Sequence, residues 1–163
     1  MPDLHWLTAE HGRLALSARP RGGDWLEDHL RGWRQAGVET VVSLLTEAEQ
    51  RELELTGEAR ICATLDMSFR SFPIPDRGLP TSDREVLALI ADLATLVSAG
   101  QSILLHCRMG IGRTGMIAAA VLVWRGFTAD TALEAAAIAR GLAIPDTLEQ
   151  ADWVRRFSTR ATP

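Results

Sequence analysis

Only two cysteines, Cys62 and Cys107, occur among the 163 residues, and no C-x-x-C pair is present. That excludes a disulfide framework and fits a reduced, cytoplasmic setting. Long apolar runs are also missing. The longest, Met116 to Trp124, is too short to span a bilayer. The first residues, MPDLHWLTAEHGRL, carry charges and no apolar stretch, so no signal peptide is expected there. Basic residues are not in excess: 17 Lys+Arg stand against 21 Asp+Glu, for a net charge of −4. No nucleic-acid partner is expected, and any anion site must be local. Repeats, low-complexity tracts and linkers are absent. Tyrosine is absent altogether, for which the composition supplies no physical reason.

What remains is an ordinary globular composition, 47% hydrophobic and 23% charged. The length suits one domain, residues 1–163. "RLALS" reads as a first strand. Asp24, with Glu27 three residues on, is placed to cap a helix carrying Trp25, Leu26, Leu30 and Trp33, which Gly37 stops. "VETVVSLL" is a buried strand. Thr46 with Glu49 makes a capping box for a short polar helix. "FRSFPI" is a strand candidate and "PDRGLP" a loop. Ser82 with Glu85 caps a long amphipathic helix ended by Gly100. "SILLH" is a short apolar strand, expected to be central. Helices follow to about Arg125, over "TADTALEAAAIAR", and over "DTLEQADWVRRF", the last capped by Asp146 or Thr147. Strands alternating with helices, then helices in a row, predict an α/β fold: one domain with a four- to five-stranded, mainly parallel sheet flanked by helices. Trp25, Trp33, Trp124 and Trp153 are expected in the core.

"HCRMGIGRTG" holds two phosphate-binding patterns. Gly110, Gly112 and Gly115 spell G-x-G-x-x-G. A dinucleotide site also needs a β-α-β unit with an acidic residue closing its second strand, whereas here a helix follows the helix and Glu134 falls inside it. A Walker loop fails too, because Gly-Arg-Thr replaces Gly-Lys-Ser/Thr. No cofactor is expected. Cys107 and Arg113 spell C-x5-R and use the same turn differently. Arg108, Met109, Gly110, Ile111 and Gly112 can curl so that their N–H groups surround a tetrahedral anion at a helix start. That setting favours a thiolate nucleophile at Cys107. The planar fork of Arg113 at the loop rim can bind two phosphate oxygens. Thr114 can donate its hydroxyl to the departing sulfur. His106 can orient the loop through a backbone hydrogen bond. An inert buried thiol beside turn glycines is the plain alternative, but it leaves many N–H donors without partners.

Thiolate attack on a phosphate monoester needs an acid for the leaving oxygen. In "FPIPDRGLP", Asp76 follows a strand between Pro75 and Pro80, with Gly78 as a hinge. It is the expected proton donor, and then the base for water. A turn aspartate in a Pro-Asp-x-Gly bend would look the same locally.

On these residues the chain resembles the cysteine-dependent protein tyrosine phosphatases. "HCRMGIGRTG" looks like their signature HCxxGxGR[ST]G, and "FPIPDRGLP" resembles the acid loop of the compact dual-specificity branch. The nearest likeness is to atypical dual-specificity phosphatases, kinase-associated phosphatase and small bacterial relatives. The resemblance implies a phosphocysteine intermediate, no metal, and a phosphotyrosine-bearing protein or peptide as substrate, with phosphoserine or phosphothreonine also open. A monomer with no membrane partner is expected. The resemblance also points to Gln150 as a residue that positions water or lines the pocket. Thr147 and Gln150 equally stand at capping-box spacing, and both readings stay open. Cys62 could pair reversibly with Cys107, as in some relatives, or be a small buried side chain.

A phosphoinositide phosphatase is the second reading, weakened because Met109 and Ile111 stand where lysines would meet several phosphates. An RNA triphosphatase is disfavoured by Gly112, where that branch prefers Asn. A phosphoprotein-binding module is the third reading, although Cys107, Arg113 and Asp76 are all intact. "LLTEAEQREL" could shape the substrate entrance, with Thr46 and Glu49 nearest. Arg19 and Arg21 could meet acidic flanks of a phosphopeptide or simply be solvated.

Overall fold

The computed structural model describes residues 3–7 and 13–161. Part of the N-terminal stretch read above, residues 1–2 and 8–12, lies outside them. Five strands form one sheet: β1 (His5–Trp6), β2 (Leu14–Ser17), β3 (Thr40–Ser43), β4 (Ser68–Ser71) and β5 (Ile103–His106). Their spatial order is β1-β2-β5-β3-β4. All pairings are parallel except β1 with β2. The expected mainly parallel sheet is therefore present, with β5 at its centre. The helices are α1 (Leu26–Gln35), α2 (Glu47–Glu52), α3 (Glu58–Thr64), α4 (Asp83–Ser98), α5 (Gly112–Trp124), α6 (Ala129–Arg140) and α7 (Leu148–Ala161).

Strand alternation divides the core in two. Leu14, Leu16, Val42, Leu44, Ile103 and Leu105 face α4, α5, α6 and α7. Ala15, Val41 and Leu104 face the other side, where Leu26, Leu30 and Trp33 of α1 pack with Cys62 of α3. Because both faces are covered, β2, β3 and β5 are buried at every position. α5 is the central helix, buried from Gly112 through Val123. Among the described residues no helix is long and apolar enough to cross a membrane.

Several local expectations hold. The Thr46–Glu49 capping box is complete in both directions, and Ser82 accepts from the Glu85 N–H. Thr147 Oγ1 accepts from the Gln150 N–H at 3.1 Å, so Thr147 makes the contact at the start of α7. Others need correction. Asp24 does not cap α1: it sits in a 3₁₀ turn, Gly23–Trp25, and neither turn nor helix has a side-chain cap. That turn also swings Trp25 out of the core, to 61% exposure, and Trp124 at the end of α5 is 42% exposed. Trp33 and Trp153 are buried as expected. α3 and the two-residue β1 were not legible: α3 starts from Gly57 with no side-chain cap, and β1 is too short to show a period.

Candidate phosphate-binding site

The parallel register puts Ser17, Ser43 and His106 level at the C-terminal edge of β2, β3 and β5. Such an edge, at the head of a central strand, is where α/β folds hold ligands. Cys107 follows β5 directly and is 3% exposed. Residues 108–111 then turn into α5. Gly110 has φ +73, and a Cβ there would lie 2.4 Å from the Ser17 carbonyl carbon, so glycine is required both for the turn and for contact with β2. Gly112 and Gly115 serve differently. Added Cβ atoms would meet Asp146 and Gln150 at 2.9 Å and Ile144 at 2.4 Å, so these glycines let the start of α7 and the segment before it lie against α5.

The loop's donors stand open. Among the described residues no acceptor meets the N–H groups of Arg108, Met109, Gly110 or Ile111, and no side chain caps α5. The first-turn N–H groups of a helix are unpaired by its geometry. Cys107 is therefore followed by a run of free backbone donors at the positive end of α5, where helix geometry favours an anion. Arg140 of α6 steadies the loop from outside, its Nη2 donating to the Met109 carbonyl at 3.0 Å. Met109 is 58% exposed and its side chain adds no charge to the loop.

Arg113 departs from the rim placement expected of it. Its side chain is 1% exposed. Nη1 donates to Glu49 Oε1 at 2.6 Å and to the Ile74 carbonyl at 2.9 Å. Nη2 donates to Glu49 Oε2 at 3.0 Å and to Asp76 Oδ1 at 3.1 Å. Burial opposes the charge on Arg113, but the Glu49 hydrogen bonds and the charges of Cys107, Glu49 and Asp76 raise its pKa overall. Burial also pushes Glu49 up. The hydrogen bonds from Arg113 and the Thr46 N–H outweigh it and hold Glu49 at about 2. Glu49 thus belongs to the interior of the site and does not shape its entrance. Arg108 turns its side chain away from the loop, to Glu49 and Glu52 at 3.3 Å each, and offers only backbone to an anion.

Asp76 stands in a turn closed by the Gly78 N–H to the Pro75 carbonyl at 2.8 Å. Arg77 takes φ 57 there, and the Asp76 side chain is 58% exposed. The Pro-Asp-x-Gly bend is real, and it also delivers the carboxylate to Arg113. Gln150 is fully buried. Its Nε2 donates to the Gly78 carbonyl at 3.1 Å, and its Oε1 has no partner among the described residues. The side chain does not complete a capping box; it ties α7 to the Asp76 turn and lies against Gly112. Thr114 is buried at the start of α5, and its hydroxyl also lacks a partner among the described residues.

Behind Cys107, His106 Nδ1 lies 3.3 Å from the Cys107 carbonyl, the backbone contact expected. Its Nε2 lies 2.7 Å from Glu58 Oε1 of α3, with both side chains buried. Sequence reading missed Glu58, because nothing in "TGEARIC" marks it as facing a histidine 48 residues away. Cys62, also on α3, is on the opposite face of the sheet from the cluster holding Cys107, and both thiols are free. Burial, then the Glu58 charge, push the Cys62 thiol up to about 12. This matches the small buried side chain of the two readings. Among the described residues no group of three or more His, Cys, Asp or Glu side chains could hold a metal ion.

A family model described as "polymorphic toxin system, DSP-PTPase phosphatase" matches residues 17–127, from the end of β2 through α5. The chain belongs to that family. This phosphatase also shares its fold with solved structures over nearly its whole length. Kinase-associated phosphatase with its catalytic-site cysteine changed to serine aligns with TM-score 0.87 and 18% identity, over 99% of this chain and 97% of that one. Tk-PTP in its active form aligns with TM-score 0.80 and 25% identity, over 98% of each chain. PTPMT1 in complex with PI(5)P aligns with TM-score 0.77 and 20% identity, over 98% and 96%. No protein of curated function matches by sequence.

Proposed function

We propose that this phosphatase hydrolyses phosphate monoesters of proteins, phosphotyrosine first among them, through a phosphocysteine intermediate and without a metal. The supporting observation is the run of unpartnered N–H groups from Arg108 to Ile111 at the head of β5, with Cys107 beside it and Arg113, in the first turn of α5, held between Glu49 and Asp76.

The contacts of Arg113 suggest an order of events. Four of its N–H protons are engaged, two by Glu49, one by Ile74 and one by Asp76. A guanidinium binds a phosphate side-on through Nε and Nη2. Of the groups on Nη2, Glu49 is buried and Asp76 exposed. The phosphoryl group therefore displaces Asp76 and leaves the Glu49 clamp in place. Asp76, protonated and released, reaches the ester oxygen.

The Cys107 thiolate attacks phosphorus as the P–O bond to the leaving group breaks, and the Asp76 proton passes to that oxygen. Water then attacks the phosphocysteine. Asp76 takes its proton, the S–P bond breaks, and phosphate leaves with the thiolate restored. Thr114, its hydroxyl uncommitted, stabilises the departing sulfur. His106 holds the Cys107 carbonyl, and Gln150 holds the Asp76 turn. We place the enzyme in the cytoplasm as a monomer. The family's description further suggests a polymorphic toxin system as its setting.

A phosphoinositide substrate is the second reading, favoured by the likeness to PTPMT1 bound to PI(5)P. The lining of the loop weighs against it. Every basic residue of the chain is arginine, and Arg108, the one beside Cys107 within the loop, is committed to Glu49 and Glu52. A panel of phosphotyrosine, phosphoserine and phosphothreonine peptides and of inositol phosphates, assayed with chelator, tests this. The highest kcat/KM is expected for phosphotyrosine peptides. Preference for the inositol phosphates, or activity abolished by chelator, would overturn the reading.

A further inference from the structure

A groove of about 560 Å³ opens beside the phosphate loop. One wall begins at Ser17 and Ala18, the end of β2 against which Gly110 presses. The Arg19 N–H donates to the Arg108 carbonyl at 3.2 Å, so wall and loop are joined through backbone. Arg19, Arg21, Trp25, His29, Asp28 and Asp3 also line it.

Its charges are unevenly committed. Asp28 is paired with Arg31 at 3.6 Å and Asp3 with His5 at 3.5 Å. Arg19 and Arg21 have no carboxylate partner among the described residues: Arg19 Nη1 donates only to the Pro20 carbonyl at 3.1 Å, and Arg21 lies over the Trp25 ring at 6.0 Å. The Arg21 N–H donates to His29 Nδ1 at 3.1 Å, which requires a neutral imidazole with its other nitrogen free to donate. Burial, then the charges of Arg21, His106 and Arg19, lower the His29 pKa to the same effect. Two cations without a carboxylate partner among the described residues and an exposed indole thus line a groove that adjoins the loop, in a protein of net charge −4.

We propose that this groove is a substrate subsite that receives an acidic flank of a phosphoprotein, Arg19 and Arg21 pairing with a carboxylate or second phosphate and Trp25 covering an apolar neighbour. The inference rests on the protein-phosphatase reading above and specifies its substrate. The mixed lining favours a polypeptide. Asp3 and Asp28 share the groove with the arginines, so a polyanionic headgroup filling it would meet carboxylates, whereas a peptide can present acid to the arginines and neutral or basic residues to the rest of the lining. Exposed pairs of this kind are individually weak, so two of them give a preference of about tenfold.

Three phosphotyrosine peptides test it: one flanked by Asp and Glu, one by a second phosphoresidue, one by neutral residues. Each is assayed with wild type, Arg19→Ala, Arg21→Ala and the double variant, alongside a small aryl phosphate that does not reach the groove. We expect wild type to favour both anionic peptides about tenfold in kcat/KM, and the double variant to lose that preference. Aryl phosphate turnover should stay within about twofold, which also shows that the variants fold. The preference should shrink as salt is raised. The two anionic arms tell carboxylate from phosphate recognition. No preference in wild type, or a preference kept by the double variant, overturns the subsite while leaving the protein-phosphatase reading intact. Turnover of inositol phosphates with none of any peptide overturns both.

Discussion

Glu49 grips Arg113 with both carboxylate oxygens, at 2.6 and 3.0 Å, and both side chains are buried. The guanidinium, to which we assign phosphate binding, is thus oriented by a partner from α2. Removing Glu49 leaves a buried cation without its counter-charge. Glu49→Ala should cost about 3–5 kcal/mol of stability and lower kcat/KM for an aryl phosphate. Glu49→Gln should recover much of the stability by keeping one acceptor. Urea melts of the three proteins check this, and equal midpoints for Glu49→Ala and wild type would show that the clamp carries no energy.

The same pair sets an acid limit. Glu49 sits at about 2 in the folded protein against an ordinary 4.5. A carboxylate held low stabilises the fold fully above its unfolded value, and that stabilisation drains as pH falls through the folded one. Wild type should lose stability between about pH 4.5 and 2 more steeply than Glu49→Gln, with the two curves parallel above pH 5. Melting temperature against pH reads this directly.

The Glu58–His106 contact offers a second test. A carboxylate only accepts hydrogen bonds, so the imidazole is the donor at Nε2. Glu58→Leu strands the Nε2 side of His106 in the core and should cost about 3–5 kcal/mol. Glu58→Gln, still an acceptor, should restore most of that together with aryl phosphatase activity. Equal losses in both variants would show that volume, not hydrogen bonding, matters at this position.

Gln150 links α7 to the Asp76 turn through Gly78. Gln150→Ala should let that turn drift, and misplacing a catalytic group even slightly costs rate. We expect alkyl phosphates, which need the acid most, to lose about tenfold more in kcat than aryl phosphates with good leaving groups. A uniform loss across leaving groups would instead mark Gln150 as a packing residue.

The contrast between Trp33 and Trp25 shows what was legible in the sequence. Both fit the apolar period of one helix, yet only Trp33 is buried, because a 3₁₀ turn carries Trp25 off the helical face. Capping signals at Thr46, Ser82 and Thr147 were readable because they act within three residues. Cys107, the glycine turn and Arg113 were readable for the same reason: backbone geometry ties their spacing to one loop. Glu49 lies 64 residues from Arg113 and Glu58 lies 48 from His106. Those pairings are made by the sheet order that brings β3 beside β5 and carries α2 and α3 to the same edge. No local pattern encodes such a meeting.

The nucleophile is the centre of the account, and trapping it is the most direct test. Enzyme quenched in acid during turnover of a small aryl phosphate should carry a phosphoryl group on Cys107 by peptide mass spectrometry. Asp76→Ala should still form that adduct from substrates with good leaving groups, and Cys107→Ser should turn nothing over while still binding a phosphate analogue. Full activity in Cys107→Ser, or a phosphoryl group found on another residue, would contradict it.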